Sequence, residues 1–316
     1  AIFCNIRDGY YVSEGVAAAA ITAHGRTNKP VAVVTNYGLV RHERLSVTLT
    51  ERGIPVLDGS QVGLRALRHF TEWKPARSNS PSRPAGLPAL EDVRSILAGH
   101  QGAALSEDDA LTLLDRYGMS TPVRKIAGSA ADLKRAAASL RFPVVLKTAA
   151  EGVLHKSDVG GVVLGIADEI ALEKSYEAMA AHLGPLVNIA EMAPKGVELA
   201  FGAVMEDGWP PIVMIAAGGV LVEYLSDVAF DIAPLDASRA RSLVDSLKIG
   251  RLLPGYRGGP PADIDALVEM IVRFSWLVSD LAPGISELDI NPVLATPSGA
   301  IAVDALIMPL RTTDIG

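Results

Sequence analysis

Short apolar runs alternate with helical patterns along the first 75 residues of the chain. Runs this short and this apolar are typical of strands buried on both faces of a parallel sheet. The pattern predicts three strand–helix units of an open parallel α/β sheet, and the simplest interpretation of this region is a structural half-domain. In chain order the predicted strands and helices are 1–5, 12–23, 30–34, 40–52, 54–57 and 60–73.

Residues 76–89 carry no apolar period and are rich in proline, serine and arginine. This composition is typical of extended linkers that do not pack into a core. We therefore predict a flexible linker at 76–89, which separates a first domain at 1–75 from a second domain at 90–316.

From Leu90 onward the pattern mixes single helices with short strands. Ser106 and the three acidic residues after it resemble a capping box, which predicts a helix to about Tyr117 with Gly118 at its end. The chain closes with a predicted hairpin, whose strands are 285–294 and 300–307. The order of these elements favours an α+β domain over a doubly wound one. The other predicted strands and helices are 121–126, 130–140, 143–147, 162–166, 170–183, 187–192, 198–205, 212–215, 237–248 and 262–280.

Composition narrows the class of protein. The 316 residues are 49% apolar with a net charge of -7, which indicates about two globular domains and no basic surface for nucleic acid. The single Cys4 excludes an intrachain disulfide and favours a cytoplasmic location. No apolar stretch approaches the ~20 residues of a membrane span. Because the chain begins at Ala1 and is apolar from that residue, we expect a piece of a longer polypeptide whose parallel sheet is truncated.

One polar loop is the strongest candidate for chemistry. It lies between the predicted strands 143–147 and 162–166, and it carries His155 followed by a pair of glycines. A loop held at both ends can carry a nucleophile that moves between two places. Lys147, where the first strand ends, is placed either to meet a phosphate group or to extend its ammonium group to solvent.

Oxygen-bearing side chains recur near the end of the chain. Asp289 and Asn291 are two residues apart and share one face of a strand, and Asp304 lies on the partner strand. Carboxylate and amide oxygens suit magnesium, although polar residues of this kind also occur beside turns without binding a metal.

A hinge and a glycine pair complete the set of candidates. Glu191 and Glu198 flank a short segment with proline and glycine, so they are either nucleotide ligands or solvated acids at strand ends. Gly218 and Gly219 form either a phosphate nest or a tight turn.

Together these features resemble the ATP-grasp fold and, more narrowly, the ADP-forming acyl-CoA synthetases (acetate–CoA ligases), relatives of succinyl-CoA synthetase. The resemblance covers about 90–309 as the nucleotide-binding, β-subunit-like part, and residues 1–75 resemble the end of a flavodoxin-like CoA-ligase domain. The overall fold class is then α/β and α+β. The segments that carry the resemblance are 155–162, 195–199, 218–220, 227–230, 255–258 and 287–292.

The resemblance implies a role for each candidate residue. His155 would be the phosphohistidine on a swinging loop, and Glu198 would bind the ribose. The remaining residues would bind ATP phosphates (Lys147, Gly218, Gly219), the adenine side of the hinge (Glu191, Met192, Ala193) and Mg²⁺ (Asn291 and Asp304, with Asp289 in support). The chain departs from the family at Ala216-Ala217, where a glycine is usual, and at Asp231, where a basic residue is usual.

The implied reaction converts a carboxylic acid, ATP and CoA to acyl-CoA, ADP and phosphate through an acyl phosphate and a phosphohistidine. The acid and CoA would bind domains absent from this chain, which belong to the same polypeptide or to a partner in an oligomer. Two alternatives are a regulatory nucleotide-binding module of a CoA-ligase-like fusion protein and another ATP-grasp carboxylate ligase. The latter needs no histidine in the 154–162 loop, so His155 argues against it.

Overall fold

The computed structural model of the chain describes residues 1–38, 40, 43–72, 81–100, 102–150, 152, 153, 156–205, 209–219, 227–256 and 258–310. The chain divides into two compact units, 1–79 and 80–316. The division falls inside the segment predicted to be a linker. Among the described residues, no helix combines the length and the apolar content that a membrane span requires.

The first unit is a parallel sheet flanked by helices. Its strands pair in the order β1-β2-β3, and all pairs are parallel, as the pattern of apolar runs predicts. Ile6, Leu49 and Ile54 belong to the core that the helices close over the sheet. In chain order the elements are β1 (Ile2–Phe3), α1 (Tyr11–His24), β2 (Val33–Val34), α2 (Arg44–Glu51), β3 (Val56–Leu57) and α3 (Ser60–Glu72).

The second unit contains a four-stranded antiparallel sheet with the order β4-β7-β5-β6. Helices α6 and α7 cover one face, where Leu133, Leu146 and Ile189 are fully buried. Because side chains alternate along a strand, Lys147 and its cross-strand partner Asn188 lie on the opposite face. The elements are β4 (Arg124–Ala127), α6 (Ala130–Ala137), β5 (Val144–Thr148), β6 (Val162–Ile166), α7 (Glu169–Leu183) and β7 (Val187–Glu191).

A six-stranded antiparallel sheet forms the rest of the second unit. Its path is β10-β9-β8-β11-β12, and β13 also pairs with β11. Four helices within the described residues accompany it, and Phe201 meets Phe274 of the last of them with 5.3 Å between ring centroids. The strands are β8 (Val197–Val204), β9 (Ile212–Ala217), β10 (Val228–Ile232), β11 (Ile285–Thr296), β12 (Gly299–Ala302) and β13 (Ala305–Pro309), and the helices are α4 (Leu90–Ala98), α5 (Glu107–Arg116), α8 (Ala237–Ser246) and α9 (Ile264–Leu281).

The Ser106 half of the predicted capping box is confirmed at the start of α5. Ser106 Oγ accepts a hydrogen bond from the Asp109 backbone N at 3.1 Å and donates one to Asp109 Oδ2 at 2.6 Å. Gly118, just after the helix, has φ +72°, a conformation that favours glycine. The cap fixes Glu107 as the first residue of α5.

The structure of the second unit differs from the sequence predictions at four places. Helix α4 and strand β10 were not predicted, and α4 has no side-chain cap that could have signalled its start. The predicted strand 300–307 is interrupted at Val303 and Asp304, although β11 pairs with β12 and β13 in one register on either side. The interruption faces Pro292, which has no N–H to donate to the ladder. Arg83, inside the predicted flexible linker, is bonded to Asp280 at 2.7 and 2.9 Å and lies over the Trp276 ring, so this part of 76–89 packs on α9.

Candidate functional site

Lys147 stands at the centre of a buried ionic network. Its Nζ atom lies 2.5 Å from Glu107 Oε1, 3.3 Å from Asp304 Oδ2 and 3.2 Å from the carbonyl oxygen of Val303. Its side chain is 9% exposed. Burial by itself would lower the pKa of Lys147, but the carboxylates of Asp304 and Glu107 outweigh it and raise the pKa. Lys147 is therefore a charged ammonium group with acidic partners.

Glu107 joins Lys147 to a second lysine. Its other oxygen, Oε2, lies 2.6 Å from Lys156 Nζ, and the Glu107 side chain is only 6% exposed. The network links the start of α5, strand β5, the turn before β6 and the break between β12 and β13. Two lysines and two carboxylates make it electrically neutral as a whole.

The break in the terminal hairpin places Asn291 beside Asp304. The Asn291 backbone N donates to Asp304 O at 3.2 Å, and Val303 N donates to Pro292 O at 3.0 Å. The register of β11 with β8 shifts between Ile290 and Val293, so both strands leave the regular ladder here. Asn291 of β11 is therefore bonded through the main chain to Asp304, which lies in the interruption between β12 and β13.

The carboxylates near this break are not fully compensated by positively charged side chains, and their pKa values are raised. Burial, with Glu287 and Asp304 nearby, raises the pKa of Asp289 to about 6. Partial burial also raises the pKa of Asp304, and Glu107 adds to the rise while Lys147 opposes it. A divalent cation would relieve this crowding of carboxylates.

The donor set therefore fits Mg²⁺. Asp289, Asn291 and Asp304 offer two carboxylates and one amide oxygen, which are hard ligands. Within the described part of the chain, no three histidine, cysteine, aspartate or glutamate side chains are grouped to hold a metal ion by themselves. The amide of Asn291 and the oxygens of a bound phosphate would have to complete the coordination.

Gly218 and Gly219 lie against Glu198 and Asn291. Gly218 N donates to the carbonyl oxygen of Glu198 at 2.8 Å, and Gly219 N lies 3.4 Å from Asn291 Oδ1. Gly219 has φ +62°, and a Cβ there would collide with Glu198 Oε2. The positive φ favours glycine at this position, whereas the contact with Glu198 could be relieved by a movement of its side chain. The structure brings Glu198, Gly218, Gly219 and Asn291 together beside the break.

The hinge lies apart from the lysine network. Glu191 pairs with Val144 in the ladder, three positions from Lys147. Its carboxylate accepts the Arg141 backbone N at 3.0 Å and the guanidinium at 3.0 and 3.2 Å, which lowers the pKa of Glu191. Met192 N donates to Pro143 O at 3.1 Å, and Ala193 follows in the segment between β7 and β8. The Glu191 carboxylate and the Met192 N–H are thus already occupied by protein groups.

His155, the proposed nucleophile, lies outside the residues that the structure describes.

Two aspartates in or next to the segments that carry the resemblance are held by protein groups. The carboxylate of Asp227 accepts hydrogen bonds from Lys248 N and Ile249 N at 2.8 and 2.7 Å, which gives it a structural role. Asp231 forms an ion pair with Arg239 of α8, so its negative charge is compensated within the protein.

The sequence pattern does not reveal the buried positions of three polar residues, Glu107, Lys156 and Asn188. It identifies Glu107 only as part of a helix cap, and Lys156 only as a residue of the histidine loop. Asn188 is 2% exposed, and no donor in the described part of the chain reaches its Oδ1 atom. No local pattern distinguishes these residues, since Glu107 lies 40 and 49 positions from its two lysine partners.

Known proteins are similar to this chain over its second unit. A family model of the ATP-grasp domain matches residues 97–308. The β subunit of ADP-forming acetate–CoA ligase II from Pyrococcus furiosus is 34% identical over 231 residues, covering 70% of this chain and 97% of that subunit. ADP-forming 4-hydroxybutyrate–CoA ligase from Nitrosopumilus maritimus is 38% identical over 205 residues, covering 62% of this chain and 29% of the relative.

A solved structure agrees with these sequence matches. Dinucleotide-forming acetyl-CoA synthetase 1 from Ca. Korarchaeum cryptofilum, in complex with CoA and Mg-AMPPCP, superposes with a TM-score of 0.61 and 32% identity. The match covers 70% of this chain and 100% of that one. In that protein a phosphohistidine segment points towards the nucleotide-binding site. This chain therefore spans nearly all of a β subunit but less than a third of the longer 4-hydroxybutyrate–CoA ligase.

Proposed function

This chain belongs to the ATP-grasp family as the nucleotide-binding part of an ADP-forming acyl-CoA ligase, and on that premise we propose that it binds Mg-ATP and transfers the γ-phosphoryl group to His155. The observation that carries the proposal is the convergence of Lys147, Glu107, Lys156 and Asp304 between the two sheets of the second unit. Lysines beside an oxygen-rich acidic group suit a phosphate chain with its metal.

Each proposed ligand has a chemical task. Lys147 bonds phosphate oxygens, and the N–H groups of Gly218 and Gly219 lie beside the same break in the sheet. Glu198 would bond ribose hydroxyls, and the segment from Glu191 through Met192 to Ala193 would border the base. Mg²⁺ held by Asp289, Asn291 and Asp304 would neutralise charge on the phosphates.

His155 would act as the nucleophile. A neutral imidazole nitrogen attacks the γ-phosphorus, the new N–P bond forms, and the bond to the β-phosphate oxygen breaks to release ADP. A carboxylate oxygen of the acid then takes the phosphoryl group from His155 and becomes an acyl phosphate. The thiolate of CoA attacks the acyl carbon and expels phosphate. The last two steps would use the CoA-binding domains of the same polypeptide or of a partner chain.

The test is labelling with Mg-[γ-³²P]ATP followed by peptide mapping. The chain should acquire one phosphate that is lost in acid and stable in base, as a phosphoramidate should be, and it should map to His155. His155→Asn should abolish the label and leave nucleotide binding intact. His182→Asn, the same substitution at an exposed histidine of α7, should label normally.

A second measurement separates binding from transfer. Mg-ATP should raise the melting temperature, because a ligand that binds only the folded state stabilises it. Asp304→Ala should remove most of that rise. A chain that binds Mg-ATP but never labels would overturn the ligase proposal and favour the regulatory module, and an undiminished rise in Asp304→Ala would overturn the metal site.

A further inference from the structure

Two lysine ammonium groups converge on one carboxylate at the inner face of the four-stranded sheet. Lys147 Nζ lies 2.5 Å from Glu107 Oε1, and Lys156 Nζ lies 2.6 Å from Glu107 Oε2. Each oxygen of Glu107 therefore holds a different lysine. Two ammonium groups that hold the two oxygens of one carboxylate also suit two oxygens of one phosphate group.

The backbone fixes Lys156 next to Lys147. Lys156 O accepts a hydrogen bond from Gly161 N at 2.7 Å, and Gly161 O accepts one from Thr148 N at 2.8 Å. Because Thr148 follows Lys147, the turn that carries Lys156 is bonded to the end of β5. Gly161 is required at this contact, since a Cβ there would lie 2.6 Å from Thr148 Cγ2 and 2.9 Å from Lys156 O. The convergence of the two side chains thus follows from hydrogen bonds of the main chain.

Charge balance shows why one lysine does not supply enough positive charge for the phosphates of a nucleotide. Glu107 compensates the charge of one ammonium group, and Asp304 is engaged in the proposed magnesium site. Lys147 alone would then leave no net positive charge for a nucleotide's phosphates. The network with Asp304 is neutral, but when Asp304 is assigned to the proposed magnesium ion the two lysines and Glu107 carry one net positive charge, which a phosphate group would balance.

We propose that Lys156 is a second phosphate-binding lysine of this cleft and that Glu107 is the positioning residue that holds it beside Lys147. The inference rests on the proposed binding of Mg-ATP. In this arrangement Glu107 keeps both ammonium groups directed to the same place. A phosphate group would take the N–H bonds of Lys156 that do not point to Glu107, and the N–H bond that Lys147 otherwise donates to Asp304. Lys156 would act on the β- or γ-phosphate, so its contribution depends on how many phosphates the nucleotide has.

Titration calorimetry of the whole chain with Mg²⁺ and either ATP or AMP tests Lys156. Lys156→Gln should weaken ATP binding by about tenfold or more, because a hydrogen bond from a charged donor is lost. AMP binding should change by less than about twofold, since AMP lacks the outer phosphates. Lys156→Arg keeps the charge and should recover part of the ATP affinity. Lys174→Gln, at an exposed lysine of α7, should change neither affinity.

Glu107 is tested by the same pair of ligands. Glu107→Gln leaves both lysines without their shared carboxylate, so it should reduce the preference for ATP over AMP. Glu107→Asp keeps the charge on a shorter side chain and should recover part of that preference. Glu177→Gln, an exposed acid of α7, is the matched control. Far-UV circular dichroism of each variant establishes that it is folded.

The outcomes separate this inference from the proposed function. If the unmodified chain does not bind Mg-ATP, the proposed function itself fails. If it binds Mg-ATP and Lys156→Gln weakens ATP and AMP equally, the role of Lys156 is structural and the inference is overturned. If Lys156→Gln does not fold, Lys156→Arg decides: a loss of affinity that is larger for ATP than for AMP supports the inference, and an equal loss for both nucleotides, or no loss for either, overturns it.

Discussion

The two ends of the proposed nucleotide cleft both carry ion pairs, but the pairs differ in burial. At the phosphate end the side chains of Lys147, Glu107 and Lys156 are 9%, 6% and 15% exposed. At the hinge end Arg141 forms an ion pair with Glu191, in which the arginine side chain is 86% exposed and the glutamate side chain 15%. Buried charges depend on their partners because water cannot replace them, whereas an exposed pair loses little when one partner is removed.

This difference predicts two kinds of response to mutation. A single substitution at the phosphate end should leave other charges buried without a partner, so stability and nucleotide binding should change together. A single substitution at the hinge end should leave stability unchanged. The following substitutions test that contrast, beginning with the largest expected effect.

Lys147→Met should be the most damaging substitution. It removes the cation between Glu107 and Asp304, and removing one partner of a buried ion pair costs about 3–5 kcal/mol. Glu107 keeps Lys156 and Asp304 is partly exposed, so we expect the lower end, a loss of about 3 kcal/mol in the free energy of unfolding. Urea unfolding measures it, and the thermal shift with Mg-ATP should also disappear.

A double variant sharpens this prediction. Lys147→Met combined with Glu107→Gln should be more stable than the sum of the two single losses, because residues in one network are coupled. Lys134→Met, at an exposed ion pair with Glu173, is the matched control and should unfold like the unmodified chain. Strict additivity of the two network substitutions would show that the lysine and the glutamate act independently.

Asp289→Asn should have a smaller effect of opposite sign. The pKa of Asp289 is raised to about 6, so the folded state holds the proton more tightly than the unfolded chain does. The ionised carboxylate therefore costs stability above about pH 6, and the cost disappears as the pH falls below about 4. A shift of about two pKa units corresponds to about 3 kcal/mol, but the group is partly exposed, so we expect a gain of about 1 kcal/mol at pH 8.

Urea unfolding at pH 8, 6 and 4.5 in the presence of a chelator measures this gain. It should shrink as the pH falls, and Glu177→Gln should show no comparable trend. Mg-ATP should stabilise the unmodified chain more than Asp289→Asn, because the variant lacks one carboxylate for the metal. A variant that is less stable at pH 8 would mean that Asp289 is satisfied by protein groups alone.

Features that depend on neighbouring residues in the chain could be predicted from the sequence. Lys147 was identifiable because an apolar run ends in a lysine, and Ser106 because a cap has a local pattern. The parallel sheet of the first unit and most strands of the second followed from apolar periodicity. These features depend on neighbours within a few positions, where side-chain order along the chain reflects order in space.

Glu107 and Asp304 show why the rest was not predictable. Glu107 has acidic neighbours on an exposed helix turn, and only the fold brings its carboxylate to lysines 40 and 49 positions away. Asp304 lies between apolar residues, so the pattern indicated a continuous strand. The break faces Pro292, which has no N–H to donate to the ladder, and only the pairing of β11 with β12 and β13 brings that proline opposite the break.

Arg141→Ala should have the smallest effect on stability. It tests whether the hinge end of the cleft is independent of the lysine network. It removes the guanidinium from Glu191, whose pKa is lowered chiefly by hydrogen bonds from Arg141. The pKa of Glu191 should rise towards its ordinary value, which a ¹³C NMR titration of the carboxyl carbon detects. A lowered pKa stabilises the fold only above the ordinary pKa of the carboxyl group. Because the Arg141 guanidinium is open to solvent and water can replace it beside Glu191, the melting temperature at pH 7 should not change measurably. Arg135→Ala, at another exposed pair, should leave the Glu191 titration unaltered. A loss of stability in Arg141→Ala comparable to that of Lys147→Met would show that the hinge belongs to the same coupled network as the lysines.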